Sequence, residues 1–469
     1  MTDVQRRLVV GLCLIVAVSF CVGASLTFML TPMLDDLGLT TDQAGTALAI
    51  PSIASLLIVF AVGRLGDRLG HRRVIIASSV TFVAGALLVA TATVMPVISI
   101  GLVFAGASST AIQIVALGLL QGSIPEGRAR VSAFTSYGMV FPAVYLAVPV
   151  LTGWLVGVAS WRVVPIGWAL LGLLIPILAL RLIERPARPT AVGELWTPIL
   201  AGVALAGAVQ TINRIHDDGW ASPLTWLSAT VAVCALVACW VLVRSSRPTS
   251  LSLTALRSRP MLLMLAGVAL VAIANTFTYV MVGLEYLYGL TVLQAAVALV
   301  PAQAAAVVGA KVVAGRMMAR WGTPRAGSVM LGGFAITMLS LVLVSATSPM
   351  WLLLVASSLF SLFGFGSITV VNAAVMASSP GGEAGMVSAY RGAASSLGTA
   401  LSVVILGAAV TAVVTATSTS AAGELPDPAA LANGLRADGL VGAAIAALAW
   451  VSFRLAVRRR GSGTVAQAA

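Results

Sequence analysis

The sequence predicts an all-α, polytopic membrane protein with fourteen transmembrane helices, and three observations support this fold class. Apolar residues make up 59% and charged residues 9% of the 469 residues, whereas soluble proteins carry about 25% charged residues. Long apolar stretches, such as residues 8–30, match the roughly 20 residues that a helix needs to cross hydrocarbon. The stretches are unbroken and do not alternate as the strands of a membrane barrel do. We therefore expect a helical bundle in lipid.

Each predicted helix is an apolar stretch of spanning length. The first follows Arg6 and Arg7, but it is too long for the apolar core of a signal peptide and lacks a small-residue cleavage site, so we expect it to remain as a helix. The four cysteines lie inside apolar stretches without metal-type spacing, which favours packing roles. The predicted segments are 8–30, 43–62, 74–94, 97–120, 131–154, 163–183, 196–213, 224–243, 261–284, 292–313, 326–346, 350–375, 386–414 and 437–457.

The basic residues predict the orientation. With a cytoplasmic N-terminus, 24 of the 27 Lys and Arg residues fall on the inner side, and only Arg162, Arg214 and Arg436 fall outside. By the positive-inside rule, both termini are expected in the cytoplasm, and the net charge of +12 reflects topology rather than nucleic-acid binding. We expect the bacterial cytoplasmic (inner) membrane as the location. The outer loops are predicted to be acidic, with Asp35, Asp36, Asp42, Asp217, Asp218, Glu424, Asp427 and Asp438.

The segment between the second and third predicted helices, GRLGDRLGHRR at 63–73, has the composition of a short turn at a helix end. Its carboxylate, Asp67, can accept hydrogen bonds from a neighbouring helix N-terminus or pair with an arginine. Such a contact would latch two halves of a bundle and break when they rock apart. A solvated basic loop is the alternative. The predicted latch residues are Gly63, Gly66, Asp67, Arg68, Gly70, Arg72 and Arg73.

The same spacing recurs about 250 residues later, after the tenth predicted helix. Gly315, Arg316, Arg320 and Gly322 repeat the glycines and arginines, but Ala319 occupies the acidic position. An internal repeat of this kind indicates two related halves, an architecture found in transporters that rock between two states.

These motifs resemble the Major Facilitator Superfamily, whose loop signature is G-x-L-a-D-r-x-G-r-[RK]. The chain looks most like the fourteen-helix drug:proton antiporter branch, with further matches at 160–167, 218–223, 256–260 and 294–301. The resemblance implies a six-helix half at 1–190, two extra central helices at 191–255 and a second six-helix half at 256–460. We expect the tail at 461–469 to be disordered.

The chain departs from the sequence pattern of that branch in the segment at 131–154 and in its charged residues within the membrane helices. Where the family has G-P-x-x-G-G, residues 148–153 keep only Pro149 and Gly153, and Pro142 adds a second predicted kink. The family arginine before Gly106 is replaced by Leu102, and the first predicted helix holds no acid.

Few polar groups therefore qualify for binding or proton coupling. Glu285, beside tyrosines, is the candidate proton acceptor, with an interfacial acid in an aromatic belt as the alternative. Gln113, Asn275, Tyr279 and Asn372 are candidates for lining a substrate cavity if the family pattern holds, with interhelical hydrogen bonds as the alternative.

We expect a secondary active transporter that exports hydrophobic drugs, antibiotics or metabolites, with proton antiport implied by the resemblance. Two other hypotheses remain open, a transporter of lipids or lipid-like metabolites without clear proton coupling, and a membrane sensor that has lost transport. No metal-ligand cluster, nucleophile elbow or phosphate loop occurs in the sequence, so we expect neither an enzyme nor a cofactor. The expected partners are a hydrophobic substrate, protons and membrane lipids, and the expected state is a monomer.

Overall fold

The computed structural model describes residues 1–38, 41–184, 194–217, 219–245, 256, 258–379, 383–418 and 427–466. Within these residues the chain is helical and no strand occurs. The α-helices are α1 (Asp3–Leu37), α2 (Thr41–Leu69), α3 (His71–Thr91), α4 (Met95–Ser123), α5 (Arg128–Gly138), α6 (Val140–Val158), α7 (Val163–Leu182), α8 (Trp196–Asp217), α9 (Pro223–Arg244), α10 (Arg259–Ile273), α11 (Phe277–Tyr288), α12 (Val292–Ala298), α13 (Val300–Val308), α14 (Ala314–Met338), α15 (Met350–Met376), α16 (Ala384–Thr417) and α17 (Pro428–Ala466). A π-helical turn (Gly309–Val313) precedes α14, and a 3-10 turn (Leu339–Leu343) follows it.

Local sequence fixes several helix ends. Thr2 and Gln5 form a reciprocal capping box at the start of α1, and Thr291 and Gln294 do the same for α12. At the end of α1, Gly38 adopts a left-handed conformation with φ 60°, which a side-chain-bearing residue adopts only at a cost.

The chain divides into two compact units. The first contains Met1–Ala255 and Ser379–Ala393, and the second contains Leu256–Ser378 and Ala394–Ala469. In the first unit α4 packs against α2 and α3, and α8 packs against α2 and α9. Small residues allow the backbones to approach closely: a Cβ on Gly85 would lie 2.7 Å from the Gly101 carbonyl oxygen. In the second unit α17 packs against α10 and α14, and α15 packs against α13 and α14.

Twelve helical stretches of the described residues are long and apolar enough to cross a membrane. One of them, Leu293–Leu343, covers two of the predicted segments and contains a break at Gly322. The predicted segment at 261–284 is divided into α10 and α11, neither of which is counted among the twelve.

Two sequence predictions about local structure are wrong. The segment at 63–73, predicted as a short turn, is helical except at Gly70, because the left-handed φ of 89° at this glycine turns the chain within one residue. Asp438 and Arg436, predicted in an outer loop, lie inside α17, which begins at Pro428 rather than near residue 437. The predictions for residues 185–193, 246–255, 419–426 and 467–469 lie outside the described residues.

Candidate functional site

Asp67 lies in the last turns of α2 and contacts the first turn of α16 within the first unit. Its Oδ1 accepts a hydrogen bond from the Gly385 backbone N–H at 2.8 Å, and its Oδ2 accepts one from the Met386 N–H at 3.0 Å. The first N–H groups of a helix have no partner in the helix itself and carry the positive end of its dipole, so a carboxylate is well suited to this position.

Glycines bring these two helices together. A Cβ on Gly385 would lie 2.5 Å from the Gly63 carbonyl oxygen and 2.7 Å from Asp67 Oδ1. A Cβ on Gly63 would in turn lie 2.8 Å from the Gly385 carbonyl oxygen. Neither position has room for a side chain, so the contact between Asp67 and α16 requires both glycines.

The basic residues around Asp67 are arranged unequally. Arg68 and Arg72 are half-buried, while Arg73 is exposed. Gly66 packs against Val115, to which its Cβ would come within 3.3 Å. The structure thus brings Gly63, Gly66 and Asp67 into the contact with neighbouring helices and leaves Arg73 at the surface.

The repeat in the second unit keeps the bend but lacks the carboxylate. Gly322 has φ 75° and ψ 164° inside α14, close to the φ 89° and ψ 139° of Gly70 at the same position of the motif. Arg316, Ala319 and Arg320 are exposed, and Gly315 is half-buried. A left-handed glycine at the same place in both copies is the structural counterpart of the sequence repeat.

The second unit contains a broken helix at Asn275 and Thr276, between α10 and α11. Asn275 is exposed, and its Oδ1 accepts a hydrogen bond from the Phe277 N–H at 3.4 Å. Ser402 on α16 donates to the Asn275 carbonyl oxygen at 3.4 Å, and the Tyr279 hydroxyl donates to the Val403 carbonyl oxygen at 3.4 Å. A helix break frees backbone groups in the middle of an apolar segment, and such breaks are tolerated where they line a cavity or a binding site.

Asp438 is the functional candidate that the sequence prediction placed wrongly. It is 0% exposed, and neither of its carboxylate oxygens has a hydrogen-bond partner among the described residues. The neighbouring Gly439 packs against the 3-10 turn, since its Cβ would lie 2.8 Å from Leu341 Cβ. The sequence gives no clear signal for this burial, because Gly434 and Arg436 interrupt the apolar run just before Asp438.

The other predicted site residues are distributed over several helices. Glu285 is half-buried on α11, while Tyr288 on the same helix donates to the Ser348 carbonyl oxygen at 3.1 Å. Asn372 is buried on α15 of the second unit. Gln113 belongs to the first unit, where its carbonyl oxygen accepts a hydrogen bond from the Tyr137 hydroxyl at 3.2 Å.

The predicted kink region at 131–154 forms α5 and α6, which follow each other directly. Met139, between α5 and α6, keeps a helical conformation. Its N–H donates to the Thr135 carbonyl oxygen at 3.2 Å, and its carbonyl oxygen accepts a hydrogen bond from the Ala143 N–H at 3.1 Å. Pro149 is buried within α6, and Gly153 is half-buried. Proline lacks the N–H of a regular helix, and Pro142 therefore cannot pair with the carbonyl of Gly138, the last residue of α5.

An ion pair that the sequence did not predict joins the ends of three helices in the first unit. Arg162 donates to Asp36 Oδ2 and, at 2.9 Å, to the Ala92 carbonyl oxygen, and Trp161 Nε1 donates to Asp36 Oδ2 at 3.0 Å. The Arg162 guanidinium also lies over the Trp161 ring, 4.4 Å from its centroid. The hydrogen bond from Arg162, followed by that from Trp161, lowers the pKa of Asp36.

The fold and these motifs define a polytopic helical protein with a repeated loop motif, and comparison with known proteins places it in a family. The model of the Major Facilitator Superfamily matches residues 12–403. The chain therefore belongs to the Major Facilitator Superfamily.

Several relatives are similar over part or most of the chain. An uncharacterized MFS-type transporter of Mycobacterium tuberculosis, Rv1877, is 30% identical over 42% of the chain, and the match spans only 28% of that transporter's length. The drug efflux pump JefA of the same organism is 25% identical over 84% of the chain and 78% of its own length. The tetracenomycin C resistance and export protein of Streptomyces glaucescens is 26% identical over 76% of the chain and 66% of its own length.

Solved structures confirm the fold alone. The human organic anion transporter MFSD10 superposes with a TM-score of 0.68 at 13% identity, covering 96% of this chain and 99% of that one. A bacterial homologue of the iron transporter ferroportin, in an outward-facing state, gives a TM-score of 0.64 at 14% identity, covering 97% of this chain and 100% of that one.

Proposed function

We propose that the protein is a secondary active exporter of hydrophobic small molecules that works by alternating access and exchanges its substrate for protons. Among its relatives, one is a drug efflux pump and another a resistance and export protein. The observation in the chain itself that carries the proposal is Asp438, a fully buried carboxylate without a hydrogen-bond partner among the described residues. Ionisable groups inside a membrane are costly and mark ion or proton pathways.

The topology that goes with this function has fourteen crossings. The break at Gly322 would divide the long helical stretch into two crossings, and α10 with α11 would form one further crossing interrupted at Asn275. The two extra central helices are α8 and α9. Both termini lie in the cytoplasm of a bacterial cell. The protein is a monomer. The arginine distribution supports this orientation.

The contact between Asp67 and the N-terminus of α16 acts as the latch of the transport cycle. Its two hydrogen bonds hold one state, and their rupture accompanies the other. Because Gly63 and Gly385 are in direct contact, a small displacement of either helix breaks both bonds together. The repeat at 315–325 contributes only a bend, since Ala319 offers no acceptor.

A proton path follows from the packing of α11 against α17. A Cβ on Gly442 would lie 3.3 Å from Thr276 Cγ2, and a Cβ on Gly283 would lie 2.9 Å from Leu435, which places Tyr279 at the level of Asp438. The residue numbers rise along α11 as they fall along α17, so the two helices are antiparallel here. Glu285 therefore lies beyond Asp438 toward the start of α17, the end that the arginine distribution assigns to the outside. We propose that Glu285 receives protons from outside and that Asp438 binds them inside the bundle.

Few other ionisable groups compete at this position. Of the helices packed on α17, α10 carries only Arg259 at its start, and α14 carries Arg316, Arg320 and Arg325 near Gly322, far from Met338. On α17 itself, Arg436 donates to the Val344 carbonyl oxygen at 2.8 Å. Apart from Glu285 on α11, Asp438 is thus the carboxylate that the described helices bring to this region, with Tyr279 as a titratable neighbour on α11.

The groups proposed to bind the substrate are uncharged: Gln113 in the first unit, and Asn275, Tyr279 and Asn372 in the second. Amide and hydroxyl groups orient a substrate through hydrogen bonds, while apolar walls supply most of the binding free energy. Without a fixed charge, such a cavity suits neutral hydrophobic compounds better than organic cations.

The test uses proteoliposomes loaded with a pH-sensitive dye and a panel of hydrophobic fluorescent compounds, with and without a pH gradient. For Asp438→Asn we expect loss of gradient-driven accumulation together with retained downhill counterflow, because asparagine can shape the site but cannot exchange a proton. Glu285→Gln should slow proton uptake and shift its pH dependence without abolishing transport. The matched control is Asp35→Asn, an exposed acid at the end of α1.

Full coupling in Asp438→Asn would contradict the assignment of the proton site. The second candidate function, movement of a lipid or lipid-like metabolite, is favoured by the scarcity of charge in the bundle. It predicts transport of a fluorescent lipid that neither the pH gradient nor an uncoupler alters. A wild-type protein that moves no compound in either assay would favour the third hypothesis, a membrane sensor.

A further inference from the structure

A groove of about 390 Å³ lies between α14 and α17 in the second unit. The groove is close to the break at Gly322. The arginine distribution assigns this end of the two helices to the cytoplasmic side. Its lining combines cationic, aromatic and small residues, among them Trp321, Arg325, Ser328, Val329, Arg454 and Arg458. The volume falls within the range of small-ligand sites, about 300–1,000 Å³.

Contacts between the two helices hold part of this groove in place. Trp450 Nε1 donates to the Ser328 carbonyl oxygen at 2.9 Å, and the Arg454 guanidinium lies over the Trp450 ring, 4.7 Å from its centroid. Next to these residues in the sequence, Gly327 of α14 packs directly against the ring of Phe453 of α17. Arg454 is therefore oriented by a fixed aromatic ring before any ligand arrives.

The positive charge of the groove is not neutralised within the described part of the chain. The ion pairs found there join Arg130 to Glu126 and Arg162 to Asp36, and neither involves a groove arginine. No acid occurs on α14, and the acid on α17, Asp438, lies more than four turns before Arg454. Three arginine side chains line the same groove, so an anion bound there would be attracted by all three.

The groove continues into apolar surface on both helices. On α14, Val329 is 42% exposed and Ile336, two turns further into the span, is 70% exposed. On α17, Val451 is 43% exposed and shares the face of Arg454 and Arg458, which follow it by three and seven residues. A ligand that fits this surface has an anionic end and a long apolar part.

We propose that the groove binds the phosphate headgroup of an anionic phospholipid, with its acyl chains against the apolar faces of α14 and α17. Guanidinium groups bind phosphate oxygens through paired hydrogen bonds, and basic pockets between membrane helices recognise anionic headgroups. A soluble phosphate ester would use the arginines but leave the apolar faces uncovered. The proposal is independent of the substrate and of the proton path.

The experiment compares binding of phosphatidylglycerol and phosphatidylcholine to the detergent-purified full chain by native mass spectrometry, with glycerol 1-phosphate as a soluble control. We expect tighter binding of phosphatidylglycerol to the wild type. In the variant Arg325→Gln/Arg454→Gln/Arg458→Gln we expect its affinity to fall on the order of a hundredfold, since each basic residue near an anionic lipid contributes several-fold.

The matched control removes three exposed arginines elsewhere, Arg6→Gln/Arg7→Gln/Arg244→Gln, and includes a second arginine stacked on a tryptophan, Arg244 over Trp240. We expect this variant to keep its preference for phosphatidylglycerol. An equal loss in both triple variants would overturn the proposal in favour of non-specific surface charge. Displacement of the lipid by glycerol 1-phosphate at equal concentration would overturn it in favour of a small-anion site.

A second measurement does not depend on the variants. Phosphatidylglycerol with a diazirine in one acyl chain is cross-linked to the wild-type protein in liposomes, and the labelled peptides are mapped. We expect enrichment at residues 325–336 and 448–458. Uniform labelling of the exposed helices would contradict a defined site.

Discussion

At the scale of single residues, the carboxylates of Asp67 and Asp438 differ in their hydrogen bonding. Asp67 has both oxygens hydrogen-bonded by the N-terminus of α16, while Asp438 has no hydrogen-bond partner among the described residues. A carboxylate whose two oxygens both accept backbone hydrogen bonds suits a structural contact. One that is buried without partners has a high cost of ionisation and suits a group that binds and releases a proton.

Asp67→Asn should weaken the latch without unfolding the protein. Asparagine loses the negative charge, and its amide group would face an N–H donor of α16. A hydrogen bond to a charged group contributes about 1.5–3 kcal/mol, so we expect the initial efflux rate in proteoliposomes to fall roughly tenfold or more. The control is Ala319→Asp, which places an acid at the exposed equivalent position of the repeat and should leave the rate unchanged. An unaltered rate in Asp67→Asn would remove the latch from the mechanism.

The contact between Asp36 and Arg162 should give a pH-dependent stability. Since the pKa of Asp36 is lowered in the folded state, its contribution is fully present above the unfolded pKa, about 3.9, and is lost as the pH falls through the folded value. We expect Asp36→Asn to melt below the wild type at pH 7, and the gap should close at acidic pH. Thermal melting across pH checks this, and Asp35→Asn should show no such gap.

The sequence contained enough information for Asp67 but not for Asp438. Glycines around an acid at a helix end indicate a close backbone contact, and the structure provides the partner, which is more than 300 residues away in sequence. The apolar pattern before Asp438 is interrupted by Gly434 and Arg436. A helix start predicted from hydropathy therefore falls after these two residues. Burial there depends on packing against the turn at Leu341, which local composition does not reveal.

At the scale of helices, most predicted segments correspond to observed helices, but the breaks within them were not predicted. Hydropathy measures how apolar a stretch is and is insensitive to whether its hydrogen bonding is continuous. The break at Asn275 lies within an apolar stretch and therefore escapes it. The bend at Gly322 could have been inferred, since this glycine repeats the position of Gly70.

The packing of α16 on α2 allows a matched pair of glycine substitutions. Gly385→Ala should separate the helices, because the new Cβ would lie 2.5 Å from the Gly63 carbonyl oxygen. Overpacking of this kind costs about 1–3 kcal/mol, and we expect a lower melting temperature and slower efflux. In Gly392→Ala, on the same helix, the new Cβ would lie 3.6 Å from Val59 Cγ2, an ordinary contact. Equal effects of the two substitutions would argue against the close contact at Gly385.

At the scale of the whole molecule, the proposed topology can be tested across one helix. Ala221 and Ser245 are exposed residues at the two ends of α9. In a variant whose four native cysteines are replaced, an impermeant maleimide added to intact cells should label Ala221→Cys and should label Ser245→Cys only after permeabilisation. The reverse pattern would invert the proposed orientation.

Membership of the superfamily and the helical fold could be predicted from composition and from the repeated motif, because both properties are spread over the whole chain. The substrate could not be predicted in the same way, because the candidate cavity groups are few, uncharged and widely separated in sequence. Amides and hydroxyls bind many ligands, and only their arrangement in space distinguishes one ligand from another.

The lone buried carboxylate of α17 has a consequence for the membrane voltage. If Asp438 carries one proton inward while a neutral compound leaves, each cycle moves one net positive charge across the bilayer. A potential of 100 mV then contributes about 2.3 kcal/mol per cycle in addition to any pH difference. Efflux would therefore continue at an external pH equal to that of the cytoplasm for as long as the cell keeps its interior electrically negative.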